Sequence, residues 1–159
     1  MSKKQFTHVS KEGNPQMVDV SGKGITRRVA EARAIVNVGA EILGQIRDNE
    51  LITKIGPVFQ TAIIAGVMGA KKTAELIPFC HLLGLEDCKV NIHVHDDRIV
   101  IDTEAAVTGK TGVEMEALTA ASIAALTIYD MCKALSHHIV IEEVKLMAKS
   151  GGKKDFKRI

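Results

Sequence analysis

Charged side chains stand at both ends of one long uncharged segment. Glu114 and Glu116 precede it, and Asp130 and Lys133 follow it. A carboxylate beside an ammonium can give and take protons, and residues three apart share a helix face. The alternative makes the glutamates helix-dipole caps and the Asp130–Lys133 pair a surface ion pair. Spacing alone leaves both interpretations open.

The segment between these residues, 117–129, carries no charge and predicts the middle of a helix over Gly112–Leu135. Glu116 and Asp130 share a helix face, yet at 1.5 Å per residue they lie ~21 Å apart. Either the ligand is long, or each site takes one helix end from each of two subunits. The helix is uncharged on every side, so a second helix or another subunit must cover it. We expect a homo-oligomer.

Other motifs are weaker. The Gly109-Lys110-Thr111 step lacks the earlier glycine of a P-loop, because Glu104 occupies that position. Adjacent Cys80 and His81 rarely present both side chains to one point, and no second cluster completes a zinc site. His81 is a better candidate for proton transfer or hydrogen bonding. We predict no protein-held metal site.

Several lysines stand at predicted element ends or in loops, among them Lys54, Lys133 and Lys149. The run from Lys149 to Lys153, KSGGK, combines cations with flexible backbone amides, which suits a polyphosphate ligand. A solvated basic tail is the alternative, and it is the better interpretation for residues 153–158.

The element pattern predicts one α+β domain over residues 1–159. An N-terminal arm over 1–27 is followed by strands, helices and a flexible basic tail over 150–159. An antiparallel sheet with helices packed on one face follows from this order. The predicted elements are a strand at Arg28–Val38, helices at Gly39–Asp48 and Val58–Ile77, a hairpin of Cys88–His95 and Arg98–Val107, the helix Gly112–Leu135 and a strand at Ile139–Met147.

Composition excludes some classes of function. The net charge is only +2 and aromatic residues make up 3%, which argues against nucleic-acid binding. Residues 1–5 are polar with no apolar stretch behind them, and no run reaches the ~20 residues of a membrane span. Three cysteines without a CxxC motif indicate reduced thiols. We expect a cytoplasmic protein.

Four segments together resemble the molybdenum cofactor biosynthesis protein C family, the cyclic pyranopterin monophosphate synthases. The longest, Thr108–Lys133, is highly specific, and the resemblance covers nearly the whole chain. The four segments are MVDVS at 17–21 with Lys23, Thr26 and Arg28; IIAG at 63–66 with LIPFCH at 76–81; TGKTGVEMEALTAASIAALTIYDMCK at 108–133; and AKSGGK at 148–153.

The resemblance implies a ferredoxin-like subunit in a homohexamer, a trimer of dimers, with active sites at a subunit interface. It also implies a lyase reaction. The substrate is (8S)-3′,8-cyclo-7,8-dihydroguanosine 5′-triphosphate, and the products are cyclic pyranopterin monophosphate and diphosphate. A divalent metal such as Mg²⁺ stays open as an aid to the departure of diphosphate.

The resemblance further implies roles for single residues. Asp130 is the general acid/base and Lys133 is the essential lysine beside it. Substrate contacts fall on Phe79, Cys80, His81, Met115, Glu116, Lys54, Lys149 and Arg28.

The chain departs from the family pattern at three places. Phe79 and Leu82 replace a leucine and a proline of the histidine loop, and Ile55 stands where the family has a lysine before Gly56. We expect Lys54 to take over that lysine's role. The C-terminal Gly-Gly-Lys segment is shortened. These departures motivate one alternative, a non-catalytic purine-nucleotide-binding module that keeps the fold. A generic ferredoxin-like regulatory domain is a weaker alternative, since it has no use for Asp130 and Lys133 together.

Overall fold

The protein is described by a computed structural model over residues 6–159. Its elements, in chain order, are β1 (Thr26–Asn37), α1 (Ala40–Leu43), β2 (Ile52–Thr53), β3 (Gly56–Pro57), α2 (Val58–Lys71), α3 (Thr73–Leu76), β4 (Asp87–His95), β5 (Arg98–Gly109), α4 (Glu114–Cys132), β6 (Val140–Ser150) and β7 (Phe156–Lys157).

Five strands form one sheet in the order β4-β5-β1-β6-β7, and every neighbouring pair is antiparallel. Alternate residues of β1 point into the core, because successive side chains of a strand face opposite ways. The buried set is Ala30, Ala32, Ala34 and Val36. Helix α4 packs on β1, β5 and β6, and α2 packs on β4. The α+β class with an antiparallel sheet is confirmed, whereas the finer ferredoxin-like assignment stays a prediction.

Helices α2 and α4 approach closely where α2 carries glycine. A Cβ on Gly66 would lie 3.0 Å from the Ala120 carbonyl oxygen, and one on Gly69 would lie 2.7 Å from Ile123 Cγ1. The small residues of α2 predict a backbone lying against it, and this prediction is confirmed. The buried Thr103 hydroxyl, on β5, donates to the Ala117 carbonyl at 2.8 Å and fixes α4 on the sheet.

Some element bounds differ from those predicted. The first helix covers only Ala40–Leu43, and a two-residue turn at Asp48 and Asn49, both with positive φ, reverses the chain at the end of the predicted span. The predicted helix over 58–77 breaks at Lys72, whose φ of −103° and ψ of 8° leave the helical region. The hairpin turn at Asp96-Asp97 is confirmed, with Asp96 at φ +53°.

The two termini differ in how far they join the sheet. The predicted arm runs as turns up to β1, and its first five residues, on which the expectation of no signal segment rests, lie outside the described residues. The predicted flexible tail contains β7, which pairs with β6 through Ala148–Lys157 and Lys149–Phe156. Within residues 6–159, no helix is long and apolar enough to cross a membrane.

Candidate functional site

A cavity of about 640 Å³ opens where the N-terminal arm, the loop after α3, the first turn of α4 and the end of β6 meet. Its walls carry more positive than negative side chains, so the cavity suits an anionic ligand. The cations are Lys23, Arg28, Lys149, Lys153 and Lys154, and the carboxylates are Glu114 and Glu116.

Glu116 lies in the first turn of α4 and is only 4% exposed. Burial raises the pKa of this carboxyl group above its ordinary 4.5; a backbone hydrogen bond opposes the shift, and the charge of Glu114 adds to it. A carboxyl group with a raised pKa keeps its proton to higher pH than an exposed one, and its oxygens can accept hydrogen bonds from N–H groups of a bound ligand. The structure places the predicted residues Met115 and Glu116 together on the cavity wall.

Glu114 Oε1 accepts a hydrogen bond from Lys149 Nζ at 2.7 Å, which joins α4 to the end of β6. The carboxylate packs over Gly112, where a Cβ would collide with it. Both partners of the ion pair are half-buried. Lys149, predicted as a substrate contact, is therefore held in the cavity wall by an acid.

Arg28 enters the cavity from β1, and its Nε is buried without a hydrogen-bond partner among the described residues. A buried guanidinium N–H that lacks an acceptor suits an anionic ligand. The chain turns beside it at Gly151, whose φ is +82° and where a Cβ would collide with the Arg27 carbonyl oxygen. Glycine is required there because L side chains rarely adopt that φ.

The loop after α3 places Phe79, Cys80 and His81 on the opposite wall. His81 Nε2 lies 2.7 Å from the Val18 carbonyl oxygen, so this histidine holds the N-terminal arm against the cavity. His8 stacks on Phe79 with ring centroids 6.3 Å apart. Burial raises the pKa of the Cys80 thiol, and Glu116 adds to the rise, so the thiol stays protonated and poorly nucleophilic.

Asp130 and Lys133 lie at the far end of α4, outside the cavity lining. Lys133 Nζ donates to Asp130 Oδ1 at 2.5 Å, and both side chains are mostly exposed. This hydrogen bond, with the charge of Asp130, raises the pKa of Lys133. One subunit therefore separates the two predicted groups by the length of its longest helix.

Lys54 also lies outside the cavity lining, in the two-residue turn between β2 and β3. Ile52 and Ile55 flank it and are 69% and 70% exposed. Of the ten predicted site residues, the structure brings together the seven on the cavity and leaves the other three apart. The seven are Arg28, Phe79, Cys80, His81, Met115, Glu116 and Lys149.

Sequence reasoning missed several residues of the cavity. Glu114 was placed at the start of the helix but not among the predicted substrate contacts, since nothing in the sequence pairs it with Lys149, thirty-five positions away. Lys23 stands inside a recognised motif, which was a usable signal. His8 had no signal, because its contact with Phe79 depends on the path of the arm.

No group of three or more His, Cys, Asp or Glu side chains within residues 6–159 is placed to hold a metal ion. His93 Nδ1 lies 3.9 Å from Asp102 Oδ2 on the face of the sheet opposite α4. All three cysteines are free thiols.

Comparison with known proteins gives a family and close relatives. Residues 17–152 match the model of the MoaC family. The chain is 53% identical to molybdenum cofactor biosynthesis protein 1 of Drosophila melanogaster over 156 residues, covering 97% of the chain and 27% of that protein. It is 47% identical to the protein of the same name from Dictyostelium discoideum, covering 94% of the chain and 26% of that protein.

A third relative matches at nearly full length. The chain is 45% identical to cyclic pyranopterin monophosphate synthase of Peptoclostridium acidaminophilum, covering 97% of the chain and 98% of that protein. The chain thus spans about a quarter of the length of its Drosophila and Dictyostelium relatives and almost the whole of the bacterial one. The predicted family resemblance is confirmed, and the chain belongs to the MoaC family.

Proposed function

We propose that this protein is a cyclic pyranopterin monophosphate synthase, a lyase of molybdenum cofactor biosynthesis. It converts (8S)-3′,8-cyclo-7,8-dihydroguanosine 5′-triphosphate to cyclic pyranopterin monophosphate and diphosphate. One observation carries the proposal: the cavity combines five cations with a buried carboxyl group whose pKa is raised. The name of the full-length bacterial relative supports the same reaction.

The cavity suits the two parts of such a substrate. Arg28, Lys149 and their lysine neighbours would receive the phosphates, because cations and a guanidinium N–H bind phosphate oxygens well. Glu116 would receive the guanine-derived ring, since a carboxyl group can accept or donate to ring N–H and amino groups. Phe79 and Met115 offer apolar contact for the flat ring system.

Ring opening and pterin closure require proton transfers, which we assign to Asp130 and Lys133. Their exposed pair cannot act on a ligand in the cavity of the same subunit, because α4 separates the two places. A site shared between two subunits resolves this separation. Asp130 and Lys133 of one copy would face the cavity of the other copy.

One face of α4 supports such sharing. Leu126 is 54% exposed and Met115 37% exposed, and Leu118 and Ser122 between them are only partly buried. At helical spacing these residues form a single line that ends at Asp130 and Lys133. Two copies of α4 packed antiparallel along this line would bury it, as a two-fold interface requires.

The spacing of residues along α4 supports one register for that pairing. Asp130 and Glu114 are equally distant from Ser122 along the helix, as are Leu126 and Leu118. A two-fold axis at Ser122 therefore sets Asp130 of one copy opposite Glu114 of the other, beside the cavity. Lys54, with its exposed isoleucines, would complete the site in the same assembly.

We extend the proposal to a homohexamer, a trimer of such dimers, working in the cytoplasm. A divalent metal such as Mg²⁺ would enter on the phosphates of the substrate, since magnesium is commonly held by one or two carboxylates plus substrate phosphates. Bound there, it would neutralise charge on the departing diphosphate. Chelation by EDTA is expected to slow diphosphate release.

The central experiment gives the purified protein the cyclic triphosphate and measures diphosphate release. Turnover supports the lyase. Binding without turnover would overturn it in favour of a nucleotide-binding module, the alternative that the exposed Leu82 and the displaced lysine motivate.

The shared site has its own experiment. Asp130→Ala and Glu116→Ala proteins, each inactive alone, are mixed under conditions of subunit exchange. Random pairing restores one complete site in half of the dimers, so roughly a quarter of wild-type activity should return. No recovery, with exchange verified by mass, contradicts the shared site. A Ser122→Cys protein should also form a disulfide-linked dimer on oxidation, whereas Lys71→Cys, at the end of α2, should not.

A further inference from the structure

The segment that carries Lys54 is closed at its base by a single carboxylate. Glu50 Oε1 accepts hydrogen bonds from the backbone N–H of Leu51 at 2.8 Å and of Phe59 at 2.7 Å. Its Oε2 accepts from the N–H of Gln60 at 3.0 Å. These donors lie on both sides of the short β2–β3 hairpin, so one side chain joins its two ends.

The contacts of Glu50 also replace a missing helix cap. Helix α2 begins after Pro57, which has no side-chain acceptor to offer the first N–H groups of the helix. Such groups need a partner, and a carboxylate near a helix N-terminus is favoured by the helix dipole. Glu50, eight residues before Val58, supplies both the hydrogen-bond acceptor and the negative charge.

The backbone around Glu50 is held equally firmly. Arg47 and Glu50 exchange two backbone hydrogen bonds of 2.9 Å across Asp48 and Asn49, which both have positive φ, as in a type I′ turn. Val58 N–H donates to the Leu51 carbonyl at 2.9 Å, and both residues are buried. The six residues between them, 52–57, have no other buried anchor, for all six are exposed or partly exposed.

We propose that Glu50 is a positioning residue for Lys54. By fixing both ends of the β2–β3 hairpin on the N-terminus of α2, its carboxylate holds the backbone that carries Lys54. In the site shared between two subunits, the ammonium of Lys54 would then meet a substrate phosphate. The proposal rests on the proposed function for the use of Lys54, and on the hydrogen bonds alone for its placement. Glu50 itself touches no substrate.

The positioning of the β2–β3 hairpin by Glu50 can be tested without measuring enzyme activity. Hydrogen–deuterium exchange is followed by mass spectrometry in peptides covering residues 50–60 of the wild type, Glu50→Ala and Glu50→Gln. We expect exchange at least tenfold faster in Glu50→Ala, with Glu50→Gln between, because glutamine keeps one acceptor oxygen. Exchange unchanged from wild type in Glu50→Ala would overturn the proposal. Glu41→Ala, at an exposed glutamate of α1, is the matched control and should exchange like wild type.

A double-mutant cycle on diphosphate release tests whether the reaction depends on the positioning of Lys54 by Glu50. Glu50→Ala and Lys54→Met should each lower kcat/KM by about tenfold to a hundredfold, and mainly through KM, as expected for a misplaced phosphate contact. The double variant should be no worse than Lys54→Met alone. Additive losses, or a fall in kcat at unchanged KM, would mean that Glu50 acts only on folding.

The two levels of the proposal fail in different ways. If the wild type releases no diphosphate, the proposed function fails while the exchange experiment still decides the placement. If Glu50→Ala does not fold, Glu50→Gln carries both experiments, since its remaining oxygen can serve the N–H groups of Leu51 and Phe59.

Discussion

At the amino end of α4, Glu116 is 4% exposed, and its pKa is raised by burial within a walled cavity. At the carboxyl end of the same helix, the side chains of Asp130 and Lys133 are 66% and 58% exposed and face open surroundings. Both ends carry groups fit for proton transfer, but only one has the water-poor environment that tunes such groups. Under the proposed function, residue type and geometry within one subunit therefore do not complete a reaction centre, and the exposed end would need a second surface to remove its water.

The largest effect should follow from removing the exposed end. Asp130→Ala and Lys133→Ala should each lower diphosphate release by about 10²–10⁴-fold, the usual contribution of a general acid or base. Melting temperature and oligomer mass should stay at wild-type values, because the pair packs in no core of its own subunit and the proposed contact between copies runs along the α4 residues from Met115 to Leu126, which are unchanged. Steady-state kinetics and native mass spectrometry provide the measurements.

The control for this prediction is another exposed ion-pair lysine. Lys89 contacts Asp87 and Glu104 on the face of the sheet opposite α4 and does not line the cavity. Lys89→Ala should turn over like wild type. Full turnover by Lys133→Ala would show that the exposed end is only a surface ion pair.

The sequence predicted what depends on local pattern. Alternation in β1 and the small residues on one face of α2 follow from periods of two and 3.6 residues, and the Asp96-Asp97 turn follows from a polar pair between two alternating segments. The structure has all three. The distance between the ends of α4 followed from the helix rise alone. These features need no knowledge of which segments meet.

Contacts between distant segments were not predictable in the same way. The pairing of Glu114 with Lys149 and the capping of α2 by Glu50 depend on where loops return, and no periodicity encodes that. The break of the predicted second helix at Lys72 shows the same limit, since no glycine or proline marks it. Burial of Glu116 likewise arises from the loop and arm that cover the first turn of α4.

A smaller effect, on stability, should follow from adding a side chain where α2 packs closely against α4. In Gly69→Ala the new Cβ would lie 2.7 Å from Ile123 Cγ1, so α2 and α4 must separate or Ile123 must shift. We expect a loss of about 1–3 kcal/mol in the free energy of unfolding, the usual cost of overpacking. Denaturant unfolding at fixed protein concentration measures it. Gly84→Ala, where a Cβ would meet nothing within 4 Å, should change stability by less than about 0.5 kcal/mol. Equal stability of the two variants would contradict the close packing.

The buried end should show a pH dependence that the neutral variant Glu116→Gln lacks. Because the pKa of Glu116 is raised in the folded state, the native protein retains a proton that the unfolded chain has lost above its ordinary pKa of 4.5. The stabilisation that this proton contributes is fully present below about pH 4.5 and is lost as pH rises through the native pKa. The stability of wild type relative to Glu116→Gln should therefore fall as pH rises above ~4.5 and through the raised native pKa. Urea unfolding across this range measures the difference, and a parallel pair of profiles would contradict the burial.

The smallest effect concerns the chemistry of Lys133 itself. Its hydrogen bond with Asp130 raises the pKa of the ammonium, so Asp130→Ala should lower that pKa and leave more free amine at a fixed alkaline pH. Acylation of Lys133, followed by peptide mass spectrometry, should be faster in the variant, while Lys89 serves as an internal reference in each sample. In a lone subunit the difference should shrink as salt rises, because the Debye length falls from ~30 Å at 0.01 M to ~3 Å at 1 M. In the assembled protein the pair should resist salt, since the cavity wall of a second copy would shield it. If salt changed the acylation rates equally in the lone subunit and in the assembled protein, this end of α4 would stay open to water in both. The difference in exposure between the two ends of α4 would then persist in the assembly.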